Sequence, residues 1–392
     1  KAIWAKIPAG SVRSVLAGHS ALGLAFAALI YLVCFSGSVA VFAREFQRWE
    51  KPELPVITAV TPAAIQAAME QAVRRIGDGV EHVYITPPTP ALPRLVVMTD
   101  AHGKHETFPA DASGRLTDVG EPVWTEFMTR LHINLHLPQT WGMFVVGLTG
   151  VALLSSLISG VLAHPRVFKD AFHLRWGGSK RLQEADLHNR LGVWALPFHV
   201  IVSLTGALLG LTTIIVGVLA MAMFQGDTSK AYALFLPPIV DDPRPPASLP
   251  NLVAALGGTQ RLSPGSTPTF VGRDLPREQG QAVVVNASLP NRLVAADSFY
   301  FDGQGRMLDA SKTTETNLGE KILGSLGPLH FGWFGGMVVK LAYGLLGLAL
   351  TAVTASGVAI WLARRRDKGR PAPRWGRIWV ASVWSQALAF AL

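Results

Sequence analysis

The chain has 392 residues, of which 49% are hydrophobic and 16% charged, and its mean hydropathy is +0.32. This balance excludes an ordinary soluble enzyme, because soluble domains are usually about one quarter charged. The single cysteine, Cys34, excludes disulfides within the chain and sites built from several thiolates, such as iron–sulfur clusters.

Four segments are long and apolar enough to cross a membrane, since a helical span needs about 20 mostly apolar residues. In chain order they are Ala21–Ala43, Trp141–Ala163, Leu191–Phe224 and Phe334–Ala363. A fifth apolar stretch, Ile378–Leu392, is short. The predicted fold is therefore a membrane all-α bundle of four or five transmembrane helices, with two long loops.

The formal charge of +9 reflects membrane topology rather than an acidic partner. Basic residues cluster before the first span, between the second and third, and after the fourth, which lie on one side of the membrane in a four-span chain. Because cytoplasmic loops are enriched in Lys and Arg, we expect a bacterial inner-membrane protein with a cytoplasmic N-terminus and two periplasmic loops, and no nucleic-acid partner. The basic residues are Lys1, Lys6, Arg13, Arg166, Lys169, Arg175, Lys180, Arg181, Arg190, Arg364, Arg365, Arg366, Lys368, Arg370, Arg374 and Arg377.

Each long loop has the pattern of a small α/β module. In the first loop, Thr61 and Pro62 predict a helix start, and strand-like runs HVYIT and RLVVMTD follow. In the second loop, a Pro-rich linker, LFLPPIVDDPRPPASLP, leads to a helical pattern, SLPNLVAALGG. The strand-like runs QAVVVNAS, RLVAADSFYFD and GRMLDA come next, with a turn at Asp302–Gly305.

The chain also shows an internal two-fold repeat. His19 and His188 each begin an H-x-x-L-G motif, and each precedes the glycine of a Ser-Gly or Thr-Gly pair by 18 residues (37 − 19 and 206 − 188). Leu-His pairs at His132 and His330 each lead into a span that ends in Ser-Gly-Val. Both copies enter the membrane in the same direction, so the repeat axis is expected along the membrane normal.

The predicted organisation has six parts. They are residues 1–44, the cytoplasmic N-terminus and first span; 45–135, the first periplasmic module; 136–225, the second span, basic loop and third span; 226–328, the second periplasmic module; 329–364, the fourth span; and 365–392, a basic segment with the start of a further helix.

Eight of the 11 histidines lie at or in the spans and would form two clusters, one near each membrane face. Histidine within a span is a functional-site candidate, and two stacked clusters are what a bundle needs to hold two bis-histidine haem b groups. The alternatives are structural polar groups, a proton relay or metal transport. Transport is disfavoured because Asp186 is the only acid close by. Gly37, Gly160, Gly206 and Gly357 would allow close helix packing and leave room for the haem ring.

The sequence leaves the choice of iron ligands open. At the cytoplasmic end the repeat pairs His19 with His188. Depth in the membrane, counted in residues from the nearest arginine, instead favours His19 with His199. In that case His188 and Arg190 would contact the haem propionates. At the periplasmic end His330 is expected with His136, because both precede a Gly-Met pair by seven residues (337 − 330 and 143 − 136). His132 is the alternate, since neighbours at i and i+4 on one helix cannot ligate opposite sides of one iron.

These motifs resemble the PepSY-associated transmembrane family over nearly the whole chain. The resemblance rests on H-x-x-L-G with S-G near the start, LHINLHLP, SGVLAHPR, DLHNRLGVWALPFH with T-G, and LHFGWFGG. It extends to the siderophore-linked branch, the FoxB-type inner-membrane ferric-siderophore reductases. The resemblance implies haem b in the bundle, PepSY-like periplasmic modules and reduction of ferric chelates in the periplasm. Ser36-Gly37 departs from the family, in which Thr-Gly is commoner.

The sequence thus predicts a di-haem electron-transfer protein in the lipid bilayer that reduces Fe(III)-siderophore to Fe(II) at the periplasmic face. One electron releases the metal, because the hard oxygen ligands of a siderophore hold Fe(III) far more tightly than Fe(II). No proton-transfer catalyst is needed. The donor is expected to be a quinol or a cytoplasmic reductase, since no G-x-G-x-x-G fingerprint is present. The alternative is a non-redox PepSY-type membrane-anchored binding or regulatory protein.

Overall fold

The computed structural model describes residues 9–77, 79–90, 92–164, 179–235, 241–242, 249–274, 280–289, 293 and 296–391. The predicted basic residues Lys1, Lys6, Arg166, Lys169 and Arg175, and much of the Pro-rich linker, lie outside these residues. The chain divides into two compact units. The helical unit comprises Lys1–Ala43, Glu126–Val218 and Leu329–Leu392, and the sheet unit comprises Arg44–Thr125 and Leu219–Pro328.

The helices and strands follow one another along the chain without a simple division into helical and sheet segments. The helices are α1 (Ala9–Ala25), α2 (Ala27–Ala40), α3 (Ala43–Glu50), α4 (Pro62–Ile76), α5 (Val123–Asn134), α6 (Gln139–Ala163), α7 (Lys180–Trp194), α8 (Leu196–Met223), α9 (Thr228–Tyr232), α10 (Leu252–Leu262), α11 (Leu318–Phe331), α12 (Gly336–Asp367) and α13 (Pro373–Ala391). The strands are β1 (His82–Thr86), β2 (Leu95–Ala101), β3 (Lys104–Ala110), β4 (Asp241–Asp242), β5 (Thr267–Asp274), β6 (Gly280–Gln281), β7 (Val283–Ser288), β8 (Asp297–Phe301) and β9 (Met307–Ser311).

The prediction of several membrane-crossing helices is confirmed. In the described part of the chain, α6, α8 and α12 are long and apolar enough to cross a membrane, and α1 with α2 makes a fourth if that bent pair is one span. The first and third predicted spans are broken, however. Helices α1 and α2 meet at 67° around Phe26. Helix α7 ends before Ala195, because Pro197 has no N–H with which to continue its hydrogen-bond ladder.

The fifth apolar stretch forms α13, which packs on α2 within the helical unit. The Tyr31 hydroxyl donates to the Val383 carbonyl at 3.3 Å, and the rings of Tyr31 and Trp379 lie 5.8 Å apart. Among the described helices, α13 is not one of those long and apolar enough to cross a membrane. The predicted further helix therefore exists, but as a shorter helix that carries Arg374 and Arg377 near its start.

The two long loops form one sheet rather than two separate modules. Its seven strands are ordered β3-β2-β1-β5-β7-β8-β9, and every neighbouring pair is antiparallel. The first loop contributes three strands and the second four. They join where β1 pairs with β5, with Ile85 opposite Val271. Each half covers only part of a core, so pairing them lets both halves share one hydrophobic layer.

That layer lies between the sheet and the helices α4 and α10. Alternate strand residues point into it, as expected of a sheet with one buried face. The members include Met69, Val73, Val83, Ile85, Leu95, Val97, Leu252, Val271, Val283, Val285, Phe299 and Phe301. Helix α4 begins as predicted, with Thr61 accepting the Ala64 N–H at 3.2 Å.

Strand β5 was not predicted from the sequence, and neither was β3. Strand β3 follows β2 through a two-residue turn at His102 and Gly103, both with positive φ, which suits a tight hairpin. The exposed edge strand KHETFPA is too polar for hydrophobic alternation to reveal it.

Glu50 connects α3 to the start of α5. Its carboxylate accepts hydrogen bonds from the Trp124 N–H at 2.8 Å, the Thr125 N–H at 3.0 Å and the Thr125 hydroxyl at 2.9 Å. These N–H groups belong to the first turn of α5 and have no partners within the helix. A carboxylate at this position also stabilises the positive end of the helix dipole.

We expect Glu50→Gln to lower the free energy of unfolding by about 1 kcal/mol at neutral pH, the usual cost of losing a helix cap. Burial raises the pKa of the Glu50 carboxyl, but the bonds from Thr125 and Trp124 outweigh burial and hold that pKa below its usual range. The stabilisation is therefore present above the unfolded pKa of about 4.3 and is lost as the pH falls through the folded pKa. Thermal unfolding followed by circular dichroism at pH 7 and at lower pH measures it.

The exposed residue Glu121 supplies the control. Glu121→Gln should leave the unfolding temperature unchanged at both pH values. An effect of Glu50→Gln that is equal at neutral and acid pH would contradict this role of the Glu50 charge.

Candidate histidine sites of the helical unit

Two histidines that are distant in sequence lie close together within the helical unit. His19 on α1 and His188 on α7 have ring centres 6.4 Å apart and ring planes at 76°. Both side chains are half-buried. The structure thus brings together the two histidines that the H-x-x-L-G motifs relate.

The His19 ring is held through Nδ1 by α6. This atom lies 2.9 Å from the Ser156 carbonyl oxygen and 3.2 Å from Ser159 Oγ. The Ser159 hydroxyl donates to the Ser155 carbonyl at 2.7 Å, so its oxygen accepts from the imidazole. These partners assign the ring proton to Nδ1 and leave a lone pair on Nε2.

The His188 ring is held in the same way by α12. Its Nδ1 lies 2.9 Å from the Val353 carbonyl oxygen and 3.1 Å from Ser356 Oγ. The Ser356 hydroxyl donates to the Val353 carbonyl at 2.9 Å. Within the described residues, Nε2 of neither His19 nor His188 makes a hydrogen bond, so both lone pairs are available to a ligand.

A second pair consists of His132 on α5 and His330 on α11. Their ring centres are 6.0 Å apart and the planes are nearly parallel, at 18°. The His132 Nδ1 lies 3.0 Å from the Val33 carbonyl oxygen, and the His330 Nδ1 lies 3.0 Å from Thr205 Oγ1. As in the first pair, Nδ1 is bonded to the protein and the described residues offer no hydrogen bond to Nε2.

A glycine lies against each of the four rings. An added Cβ would be 2.6 Å from Cε1 of His132 at Gly37, 2.8 Å from that of His330 at Gly206, and 3.3 Å from those of His19 and His188 at Gly160 and Gly357. The glycines were expected to accommodate close helix packing and a bound haem ring. In the structure they make room for the imidazoles, so the glycine of each Ser-Gly or Thr-Gly pair packs against one histidine ring.

The separation within each pair suits two imidazoles on opposite sides of one metal ion. A metal–imidazole bond is about 2 Å and a ring centre lies roughly 1 Å beyond its nitrogen, so opposed rings have centres about 6 Å apart. Two nitrogens alone do not satisfy a transition metal, and the described residues contain no group of three or more His, Cys, Asp and Glu that could hold one. Two imidazoles at this separation could hold a metal whose other positions are filled by a planar macrocycle, as in haem.

A cavity of about 360 Å³ adjoins the His19/His188 pair. This volume lies within the range of small-molecule sites, about 300–1,000 Å³. Its walls are largely apolar, with leucine and valine the commonest apolar side chains, and polar groups include His164, Asp186, Asn189 and Arg364. Asp186 also forms a buried ion pair at 3.5 Å with Arg190. The lining suits a ligand with a broad apolar body and a few charged substituents.

His199, the preferred partner of His19 in the sequence, lies apart from the pair. It is fully buried on α8, with its ring 5.9 Å from that of Phe198. The Leu346 carbonyl lies close to the ring, but neither ring nitrogen makes a hydrogen bond of normal geometry within the described residues. The structure thus places His188, the alternate, beside His19.

His136, the preferred partner of His330, also lies apart. Helix α5 ends at Asn134, and Leu135 and His136 both have φ of 55°, so His132 and His136 do not share a helix face as predicted. The exposed His136 ring stacks on Phe127 at 4.7 Å, and its Nε2 lies 2.9 Å from the Phe127 carbonyl oxygen. The structure brings His132 to His330 instead.

The depth argument from the nearest arginine assumes that each span is a straight helix, which the structure does not show for the first and third spans. The helix breaks at Phe26 and Ala195 each follow the motif histidine by seven residues (26 − 19 and 195 − 188). His19 and His188 therefore occupy equivalent positions, each seven residues before a helix break. The internal repeat, unlike the depth argument, indicates this equivalence. Ser159 and Ser356, the serines of the Ser-Gly-Val motifs that end the spans, are the hydroxyl partners of His19 and His188 Nδ1. Their place in the repeat is the sequence signal by which these partners could have been found.

Several membrane-crossing helices and two histidine pairs held between them define the class: a multi-span membrane protein with paired internal imidazoles. More particularly, the chain belongs to the family described as the PepSY-associated TM region, which matches residues 16–364 and so includes both pairs. It is also similar to the Uncharacterized protein PA4219 of Pseudomonas aeruginosa, with 28% identity over 255 residues. That match covers 61% of this chain and 64% of the relative, so the chain spans less than two thirds of the relative's length.

Proposed function

We propose that this protein is a bacterial inner-membrane electron-transfer protein that binds two haem b groups non-covalently. His19 and His188 would hold one, and His132 and His330 the other. The observation that carries the proposal is the geometry of the two pairs. In each, ring centres lie 6.0 or 6.4 Å apart and Nδ1 is bonded to the protein.

The chain's own groups prepare the four imidazoles as ligands. Carbonyl and hydroxyl oxygens accept the Nδ1–H, which fixes the tautomer, orients the ring and increases the basicity of Nε2. The glycines set each ring against its neighbouring helix. When bound, haem supplies the reversible one-electron chemistry that these side chains lack.

The cavity beside His19 and His188 supports the same proposal. Its largely apolar lining favours an apolar macrocycle over a hydrated metal ion. Arg364 and His164 line it and would bind carboxylate substituents. Arg190, which the sequence suggested for this task, is already paired with Asp186, so we assign it to support of the cavity wall.

The matching surroundings of the pairs also support the internal repeat and the topology. Arg364, Arg365 and Arg366 end α12 beyond Ser356, which anchors His188. The positive-inside rule then places the His19/His188 pair towards the cytoplasm and the His132/His330 pair towards the periplasm. On this topology the sheet unit is periplasmic, and an electron crosses the bilayer through the two pairs.

We propose a ferric siderophore as the electron acceptor in the periplasm, with a quinol or a cytoplasmic reductase as donor. The support is the resemblance to the siderophore-linked branch, together with the placement of one pair near each membrane face. The reaction transfers one electron to Fe(III) and releases Fe(II), which the hard oxygen ligands of the chelate hold weakly.

A reduced-minus-oxidised visible spectrum of the purified protein tests the proposal. We expect b-type bands and two haems per chain by pyridine haemochrome assay. Adding a ferric siderophore without oxygen to the dithionite-reduced protein, freed of excess reductant, should reoxidise it and yield Fe(II) to a ferrous chelator. Absence of haem bands would leave the non-redox binding function, whereas haem that no ferric chelate reoxidises would refute the siderophore as acceptor.

A further inference from the structure

The four paired histidines are not anchored identically. Nδ1 of His19, His188 and His330 each lies 3.0–3.2 Å from a hydroxyl oxygen, that of Ser159, Ser356 and Thr205 respectively. His132 is the exception. Its Nδ1 lies 3.0 Å from the Val33 carbonyl, and no hydrogen bond joins it to a hydroxyl in the described part of the chain.

The difference arises at equivalent positions of the two halves. Ser36 and Thr205 each precede the glycine that contacts a ring of the His132/His330 pair. The Ser36 hydroxyl donates to the Leu32 carbonyl at 2.7 Å and to the Val33 carbonyl at 3.2 Å. Ser36 therefore shares the acceptor of His132 instead of contacting its ring.

Thr205 is well placed to accept from His330. Its hydroxyl donates to the Ile201 carbonyl at 2.7 Å and more weakly to the Val202 carbonyl at 3.4 Å, which leaves an oxygen lone pair for Nδ1. Thr205 is only 4% exposed, so water competes little for this bond. A hydrogen bond in such a low-dielectric place polarises the ring more strongly than the same bond in water.

We propose that Thr205 is a positioning residue that makes His330 a stronger electron donor than His132. Thr205 gives the His330 ring a hydroxyl acceptor in addition to the Val202 carbonyl that lies close to it, so the ring has more imidazolate character and a more basic Nε2. The His132 ring has the Val33 carbonyl and no hydroxyl acceptor among the described residues, so it is polarised less. A more basic ligand stabilises the oxidised state of a bound metal, so Thr205 lowers the reduction potential of this site. The inference rests on the proposed haem function.

Thr205→Val tests the proposal, because valine keeps the shape and removes the acceptor. In the purified two-haem protein we expect about tenfold faster haem loss from one site to an apoglobin acceptor, the lower end for loss of a ligand's supporting group. We also expect a higher midpoint potential for that haem. A tenfold change in its reduction equilibrium corresponds to 59 mV for one electron. Thr205→Ser, which keeps the hydroxyl, should restore both values.

Ser36→Ala is the matched control, since it removes the equivalent hydroxyl that does not contact a ring. It should leave both potentials unchanged. The haem at His19 and His188 reports folding in every variant. Thr205→Val with wild-type potentials and haem retention would overturn the inference, as would an equal shift in Ser36→Ala. Failure of the proposed function is distinguishable, because the unsubstituted protein would then contain no haem.

Discussion

Alanine at His330 should remove one of two haems and leave the other, halving the haem content per chain. On the proposed function, His330 and His132 would hold this haem, and the described residues contain no group of three or more His, Cys, Asp and Glu that could replace them. His188→Ala should remove the other haem for the same reason. The haem-to-protein ratio and the low-spin signals in electron paramagnetic resonance of each variant measure the outcome.

His136→Ala and His199→Ala are the matched controls. Both histidines belong to the same motifs as the paired ones, yet the structure places them apart from the pairs. Both variants should keep two haems. Haem loss in His199→Ala with retention in His188→Ala would favour His199 as the ligand, as the sequence does. Haem loss in His136→Ala with retention in His132→Ala would likewise favour His136.

Gly206→Ala and Gly37→Ala should disrupt the His132/His330 site more than any conservative change on the helices around it. Their new Cβ atoms would lie 2.8 and 2.6 Å from the histidine rings, so the ring or the helix must move. We expect at least about tenfold weaker haem retention at this site, as for other losses of ligand orientation. Haem transfer to an apoglobin, followed by absorbance, measures retention.

Gly357→Ala should have a smaller effect at the His19/His188 site, because its Cβ would lie 3.3 Å from the His188 ring and a small shift accommodates it. Gly18→Ala is the neutral control, since no atom lies within 4 Å of its Cβ. Equal haem retention in Gly206→Ala and Gly18→Ala would show that the close contact between glycine and ring does not position the histidines. A larger effect at Gly357 than at Gly206 would argue for a ligand that contacts the glycine directly.

Much of the fold was predictable because long apolar runs and strand alternation are strong signals. Helix α4 with its Thr61 cap and strand β1 appear close to the predicted bounds. Some features were not predictable, among them strand β5 itself. The pairing of β1 with β5 depends on contacts between segments far apart in sequence, and no local pattern encodes it. Strand β3 is a polar edge, so hydrophobic periodicity passes over it.

The candidate site was predictable as a set of histidines but not as pairs. Periodicity and the repeat identify His19, His188, His132 and His330 together with His199 and His136. Choosing among them requires the helix breaks at Phe26 and Ala195 and the helix end at Asn134. Such breaks depend on single residues, for example Pro197, whose effect on a membrane helix varies with its neighbours.

The junction between β1 and β5 has a consequence for how the protein is made. Strand β1 ends at Thr86 and β5 begins at Thr267, 181 residues later (267 − 86). Until the ribosome has supplied that second segment, β1 has a free row of N–H and C=O groups, and such an edge readily pairs with other chains. The first half of a nascent chain is thus prone to capture a strand from a neighbouring molecule. A protein expressed as two separate halves should reassemble only if both half-sheets meet before either edge is blocked.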